Sequence, residues 1–148
     1  MKIVLISCTK LKQKYKCSAE MLYSASNLFR KELAYAKALT QKQNIYVISA
    51  KHGLLHLDEE IEPYDQTLLG QRKAVIENWS AMVFKQLENT IDFNNAEIIF
   101  LAGNNYRKYL IPLIEKKYPN VSISIPTEGM GIGNQLKFYN EKVKNDSL

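Results

Sequence analysis

Side chains that could do chemistry follow short apolar segments at four places in this chain. Cys8, Thr9 and Lys10 come directly after the first segment and offer a thiol, a hydroxyl and an amine within three residues. Such a loop can bind an anion, and a lysine that loses its proton in a poorly solvated site becomes a nucleophile. The alternative for Cys8 is a small buried packing residue, which is the usual role of a free cysteine.

The second loop carries the strongest local signal. Lys51 and His52 follow the second apolar segment, and Gly53 permits a backbone with positive φ that turns the chain sharply. His52 is a candidate for acid–base chemistry near neutral pH. Further along, Tyr64 could stack on a planar ligand and Asp65 could accept its proton. The alternative is an ordinary turn that carries a surface histidine.

The third and fourth loops contain glycine. Gly103, Asn105 and Tyr106 follow the third apolar segment, where an asparagine can cap a helix and either Asn105 or Tyr106 could contact a base or ribose. The fourth loop has glycines at alternate positions, which are Gly129, Gly131 and Gly133. Their spacing matches neither the dinucleotide fingerprint nor the P-loop. They indicate only that the backbone comes close to a ligand or to a neighbouring strand.

Alternating strands and helices would position these loops at one edge of a sheet. The apolar runs predict strands at residues 2–7, 45–50, 97–102 and 121–125. Helical periodicity predicts helices at residues 19–39 and 71–89, a third that contains Pro112, and a fourth from about residue 133. A long irregular connection is predicted over residues 51–70.

This alternation predicts an α/β three-layer sandwich, with a four-stranded, mainly parallel sheet and helices on both faces. Right-handed crossovers favour the strand orders 2-1-3-4 and 3-2-1-4. Because ligands bind at the carboxyl ends of parallel strands, the four loops are expected to share one site.

Composition predicts a single domain over residues 1–148, with a charged tail from about residue 142. No apolar stretch approaches the roughly 20 residues of a membrane-spanning helix, so no membrane partner is predicted. Two cysteines, Cys8 and Cys17, do not make a disulfide framework, which favours a cytoplasmic protein with free thiols. The spacing of the cysteines and histidines fits no common zinc pattern, and neither metal nor cofactor is predicted.

The positive charge is concentrated in one loop. The net charge is +5, and lysines alternate along the segment after the first strand, at Lys10, Lys12, Lys14 and Lys16. Together with Arg107, these side chains suit a phosphate-bearing partner, either a nucleotide or a nucleic acid. The alternative is a solvated loop whose lysines only maintain solubility.

With these motifs identified, the chain resembles the YaaA-like superfamily, known from bacterial peroxide-stress proteins and small relatives. The likeness lies in residues 7–10, 49–55, 61–64 and 126–133, and in Gly103 with Tyr106. The resemblance implies a role around nucleic acid, such as DNA protection in a stress response, base modification or nucleotide metabolism. A fainter likeness connects Cys8, Lys10 or Lys12, and residues 23–26 to a lysine-bearing motif of archaeosine synthases, which modify a deazaguanine base.

The leading hypothesis is an enzyme, a hydrolase or transferase, that acts on a nucleobase, nucleotide or nucleoside by base modification or glycosidic-bond chemistry. Lys10 and Lys51 would hold phosphate or activate the base, and His52 or Asp65 would move a proton. This hypothesis requires Lys10, the Lys51–His52 corner and the glycine-rich bend to line one pocket. The alternatives are a noncatalytic nucleic-acid-binding module and a sensor of a nucleotide or another small molecule.

Overall fold

The computed structural model describes residues 1–146, which form a five-stranded sheet covered by helices. Within these residues the strands are β1 Lys2–Ser7, β2 Cys17–Ser18, β3 Ile45–Ser49, β4 Gly53–His56, β5 Glu60–Ile61, β6 Glu97–Leu101 and β7 Ser122–Ser124. The α-helices are α1 Ala19–Tyr23, α2 Asn27–Leu39, α3 Lys73–Glu88, α4 Asn104–Arg107, α5 Leu110–Lys117 and α6 Ile132–Asp146. Short 3₁₀ turns lie at Lys42–Asn44 and Phe93–Asn95.

The main sheet has the order β4-β3-β1-β6-β7. Strands β3, β1, β6 and β7 run parallel, which confirms the four predicted strands. Of the two orders favoured from the sequence, the structure has 2-1-3-4 and not 3-2-1-4. In the centre, Val4 of β1 is in register with Ile45 on one side and Ile99 on the other, and the first pair between β1 and β6 is Lys2 with Glu97. Both faces of the inner strands are buried, as a sheet between two helical layers requires.

The fifth strand of this sheet is a finding that the sequence did not predict. β4 pairs antiparallel with β3 at the edge, in a hairpin in which Ser49 lies opposite Gly53. Its apolar run is only Leu54 and Leu55, inside a segment predicted to be irregular. β2 and β5 form a separate two-stranded sheet, which joins the end of the lysine-rich loop to the connection after β4.

The helices form the two outer layers of a three-layer α/β sandwich. α2 packs against α6, while α3 packs against α5. α6 continues through Asp146 and so includes the beginning of the predicted charged tail; residues 147 and 148 lie outside the described residues. No helix in residues 1–146 is long and apolar enough to cross a membrane.

The helix predicted over residues 19–39 is divided into α1 and α2 by serine caps. Ser18 caps α1 as predicted, since its Oγ accepts the Met21 N–H, but the Oγ of Ser26 accepts the Phe29 N–H and starts a new helix. A similar division separates α4 from α5. Pro112 therefore falls in the first turn of α5, where a missing N–H leaves no helical hydrogen bond unmade.

The turn from β3 to β4 is fixed by α3. Gly53 has φ of 71°, and a Cβ placed there would overlap the Oε1 atom of Gln86. Gln86 occupies that space because its Oε1 accepts the Leu54 N–H at 2.8 Å and its Nε2 donates to the His52 carbonyl at 3.2 Å. The absence of a side chain at Gly53 thus lets one glutamine hold the turn that presents His52.

Gly53→Ala should lower the free energy of unfolding by roughly 3 kcal/mol or more. An alanine at this positive φ is strained, its Cβ would overlap the Gln86 side chain, and moving that side chain would break its two hydrogen bonds to the turn. Gly70→Ala is the matched control: Gly70 has φ of 76°, but an added Cβ would meet nothing within 4 Å. The control should lose only about 1–2 kcal/mol. Equal losses in urea denaturation would show that Gln86 does not determine the requirement for glycine.

Candidate functional site

A cavity of about 370 Å³ lies at the carboxyl ends of β1 and β6. The chain leaves β1 for β3 on one side and later enters β6 on the other side, so the strand order reverses between β1 and β6. Ligands of open α/β sheets bind in the crevice at this switch point. The two strand ends contribute Ser7, Cys8, Thr9, Ala102, Gly103 and Asn104 to the lining.

A carboxyl and a guanidinium line the cavity from different elements. Glu32 of α2 is 4% exposed and makes no hydrogen bond within the described residues. Burial raises the pKa of this carboxyl well above its ordinary value. Arg107 of α4 donates from Nε to the Ala102 carbonyl at 3.2 Å, and its Nη1 lies 3.6 Å from Oε2 of the exposed Glu128. The cavity therefore has a carboxyl at one wall and a guanidinium at another.

Cys8 connects this cavity to the neighbouring strand ends. Its N–H donates to the Ile48 carbonyl at 3.1 Å, and its Sγ accepts the Ala50 N–H at 3.3 Å. The thiol in turn donates to the Tyr106 hydroxyl at 3.3 Å. Cys8 lines the cavity and contacts both the β3 end and α4, so three of the four predicted loops meet at one residue.

On the other side of Cys8 lies a cluster of hydroxyl groups, which we call the hydroxyl chain and define as Ser49, Tyr64 and Tyr23. The Ser49 Oγ accepts the N–H groups of Lys51 and His52, at 3.2 and 3.1 Å. Since both of its lone pairs are then used, its proton points to the Tyr64 oxygen at 2.7 Å. The Tyr64 hydroxyl lies 2.6 Å from that of Tyr23.

Both tyrosines of the hydroxyl chain are neutral near pH 7. Burial raises the pKa of Tyr23 to about 12 and raises that of Tyr64 as well. Trp79 supports the chain from α3, because its Nε1 donates to the Ser49 carbonyl at 2.9 Å. The hydroxyl chain is a buried hydrogen-bonded network that holds the end of β3 to α1 and to the connection after β5.

Two lysines lie above the Tyr64 ring. The Nζ atoms of Lys12 and Lys51 are 4.6 and 6.0 Å from the ring centroid. Burial lowers the pKa of Lys12, while the nearby Cys8 and Asp65 oppose this by favouring its charged form. Lys12 is thus the lysine of its loop that folds back toward the hydroxyl chain.

His52 packs edge-on against the same ring, with centroids 5.5 Å apart. Burial lowers the pKa of the imidazole, and the adjacent Lys51 lowers it further. Its Nε2 atom is buried and has no hydrogen-bond partner among the described residues. His52 is therefore neutral at pH 7 and able to accept a proton.

The structure divides the predicted site residues into groups. Those that line the cavity are Cys8, Thr9, Gly103, Arg107 and Gly129. Those that lie beside Cys8, in or around the hydroxyl chain, are Lys12, Lys51, His52, Gly53, Tyr64, Asp65 and Tyr106. Those that do not line the cavity and lie apart from the hydroxyl chain are Lys10, Lys14, Lys16, Asn105, Gly131 and Gly133.

The expectation of one pocket shared by Lys10, the Lys51–His52 corner and the glycine-rich bend is not met. The Lys10 side chain is exposed. The N–H groups of Lys51 and His52 donate to the Ser49 Oγ, which holds both residues beside Tyr64 and away from the cavity. Of the bend's glycines, Gly129 alone is among the cavity-lining residues. Arg107, expected to contact nucleic-acid phosphates, has a side chain only 15% exposed and forms a cavity wall.

Sequence reasoning missed Glu32, although a signal was present. It lies on the face of α2 that buries Phe29, Leu33 and Ala36, so a carboxylate stands within an apolar helical stripe. Ser49 was also missed, because a small hydroxyl at a strand end gives no pattern of its own. Both cysteines are free, and residues 1–146 contain no group of three His, Cys, Asp or Glu side chains that could hold a metal ion.

The fold and the cavity define an α/β protein with a polar cavity at the switch point of a mainly parallel sheet. More specifically, the chain belongs to a family described as "Family of unknown function (DUF6884)", whose model matches residues 3–141. Comparisons with curated proteins and with solved structures gave no match.

The buried carboxyl makes a pH-dependent contribution to stability that Glu32→Gln should remove. The raised pKa means that the folded chain keeps a proton that the unfolded chain releases, so this contribution declines as pH rises above about 4.5. The stability of Glu32→Gln relative to the unmodified protein should therefore increase between pH 5 and pH 8, by about 1 kcal/mol or more.

Urea denaturation at several pH values measures this difference. Glu115→Gln removes an exposed carboxylate from α5 and controls for the loss of one negative charge. A constant difference between Glu32→Gln and the unmodified protein across this pH range would contradict the assignment of a protonated Glu32.

Proposed function

We propose that this chain is an enzyme that acts on a nucleobase, nucleotide or nucleoside bound in the switch-point cavity. The observation that carries the proposal is the set of groups that face this one space: the Cys8 thiol, the Glu32 carboxyl and the Arg107 guanidinium. The volume of about 370 Å³ is within the range of small-molecule sites. The resemblance of residues 7–10 and 49–55 to the YaaA-like superfamily supports the same substrate class.

Arg107 is the group suited to a phosphate or another anion. Its ion pair with Glu128 is long, and the Glu128 side chain is 65% exposed, so the pair contributes little stability. A ligand phosphate could replace Glu128 and accept two parallel N–H bonds from the guanidinium. The hydrogen bond from Nε to the Ala102 carbonyl already fixes the direction of the side chain.

Cys8 is the group suited to contact the reacting part of the ligand, because it lies between the cavity and the hydroxyl chain. Lys10 was expected to hold phosphate or activate the base, and we assign this role to Lys12 instead. Lys12 is the partly buried one of the two lysines, and its charge interacts with Cys8. The chemistry that fits these groups is base modification or cleavage at the glycosidic bond, as either a hydrolase or a transferase. Neutral His52 is a further proton acceptor next to this region.

Turnover should depend on Cys8 and not on the other free cysteine. The purified protein is incubated with a panel of nucleobases, nucleosides and 5′-nucleotides, and products are measured by mass spectrometry. Cys8→Ala should reduce turnover about 100-fold or more, while Cys17→Ala, outside the cavity, should retain it. Arg107→Gln should mainly raise KM for phosphorylated substrates.

Two results would contradict the enzyme assignment. If the panel compounds bind without being converted, the protein is a sensor of this ligand class. If none of them binds, as judged by calorimetry and thermal shift, the substrate class itself is wrong. Circular dichroism of each variant separates loss of activity from loss of folding.

A second candidate function is favoured by the exposed lysines of the loop after Thr9. Lys10, Lys14 and Lys16 are solvent-exposed in this loop, so they could contact the phosphates of a polynucleotide beside the cavity.

If the protein binds nucleic acid through this loop, each of these lysines replaced by alanine should reduce the slope of log K against log salt by about one unit. Fluorescence anisotropy with a labelled oligonucleotide measures this slope. Lys73→Ala with Lys85→Ala, on α3, is a matched control that removes exposed charge elsewhere. A slope that is unchanged in the loop variants, or no binding, removes this candidate.

A further inference from the structure

We infer that Glu32 recognises a ligand edge with two adjacent N–H donors, the pattern that guanine presents at N1 and at its exocyclic amine. This inference rests on the proposed function and specifies the base that the cavity prefers. It is carried by a buried carboxyl that lines the cavity and lacks a protein partner within the described chain.

The position of Glu32 is unfavourable unless something binds there. The residue is 4% exposed and shares its helical face with Phe29 and Leu33, which pack into the core. A buried polar group without a hydrogen bond destabilises a fold, and a carboxyl does so more than an amide or an apolar side chain. A ligand in the cavity could reach this carboxyl, because Glu32 is one of the residues that line it.

The chemistry of the carboxyl defines that partner. In the free protein this carboxyl is protonated, and a ligand with two N–H donors would bind its ionised form, so binding releases the proton. The ionised carboxylate presents two acceptor oxygens and no donor, so it pairs best with two N–H groups side by side. Guanine offers this pair, hypoxanthine offers one N–H beside a C–H, and adenine offers one donor beside an acceptor. A small cation is disfavoured, because the Arg107 guanidinium lines the same cavity and would repel it. An uncharged base edge has no such conflict.

The remaining walls suit a base and its sugar phosphate. Leu28, Ile125 and Met130 supply apolar surface for the flat ring. Arg107 comes from a different element, α4, and is available for a phosphate. Under this arrangement the base edge faces α2 and the phosphate faces α4.

The test compares guanosine with inosine, which lacks only the exocyclic amine, and with adenosine. Isothermal titration calorimetry is carried out on the unmodified protein, on Glu32→Gln and on the control Glu115→Gln. The unmodified protein and the control should bind guanosine at least ten times more tightly than inosine or adenosine. In Glu32→Gln most of this preference should be lost, because an amide offers one acceptor and one donor.

The outcomes separate this inference from the proposed function. Equal affinities for the three nucleosides, or a guanosine preference that Glu32→Gln leaves unchanged, would overturn the role of Glu32 while the nucleoside site remains. Failure of all three nucleosides and of their 5′-monophosphates to bind would overturn both. A thermal melt of Glu32→Gln confirms that the variant is folded, and a guanosine preference in the control that equals that of the unmodified protein excludes an effect of net charge.

Discussion

The three hydrogen bonds of Cys8 are the contacts on which the arrangement of this site depends. They join the end of β1 to the backbone of β3 and to Tyr106 of α4, so the loops of three elements are held at one point. The hydroxyl chain lies on one side of this point and the cavity on the other. The cavity of about 370 Å³ thus lies at the ends of β1 and β6, whereas side chains of the hydroxyl chain occupy the region at the end of β3.

The hydroxyl chain and the cavity differ in how completely their polar groups are paired. Ser49 uses both lone pairs and its proton, and Tyr64 and Tyr23 share a short hydrogen bond, which is typical of a structural network. In the cavity, by contrast, Glu32 has no partner within residues 1–146, and Arg107 has a weak one in Glu128. The buried His52 Nε2 beside Tyr64 also has no partner among the described residues, so unpaired polar groups lie on both sides of Cys8.

Strand and helix positions could be predicted because they follow from local patterns, while side-chain directions could not. The apolar runs identified the four parallel strands and narrowed their order to two candidates, but the two-leucine run of β4 was too short to be distinguished from a loop. Cys8 was correctly placed after the first strand, whereas Arg107, expected to contact nucleic-acid phosphates, lies on α4 and lines the cavity. Whether Lys10 or Lys12 folds back onto Tyr64 depends on a distant ring, and no local pattern carries that information.

The register of the central strand has a consequence for how the chain folds during synthesis. β1 pairs with β3 within the first 50 residues, but its other edge pairs with β6, where Lys2 lies opposite Glu97. A nascent chain therefore carries an open, apolar strand edge until β6 has left the ribosome. Such edges attract other unpaired strands, so this interval is the period when the protein is most prone to aggregate.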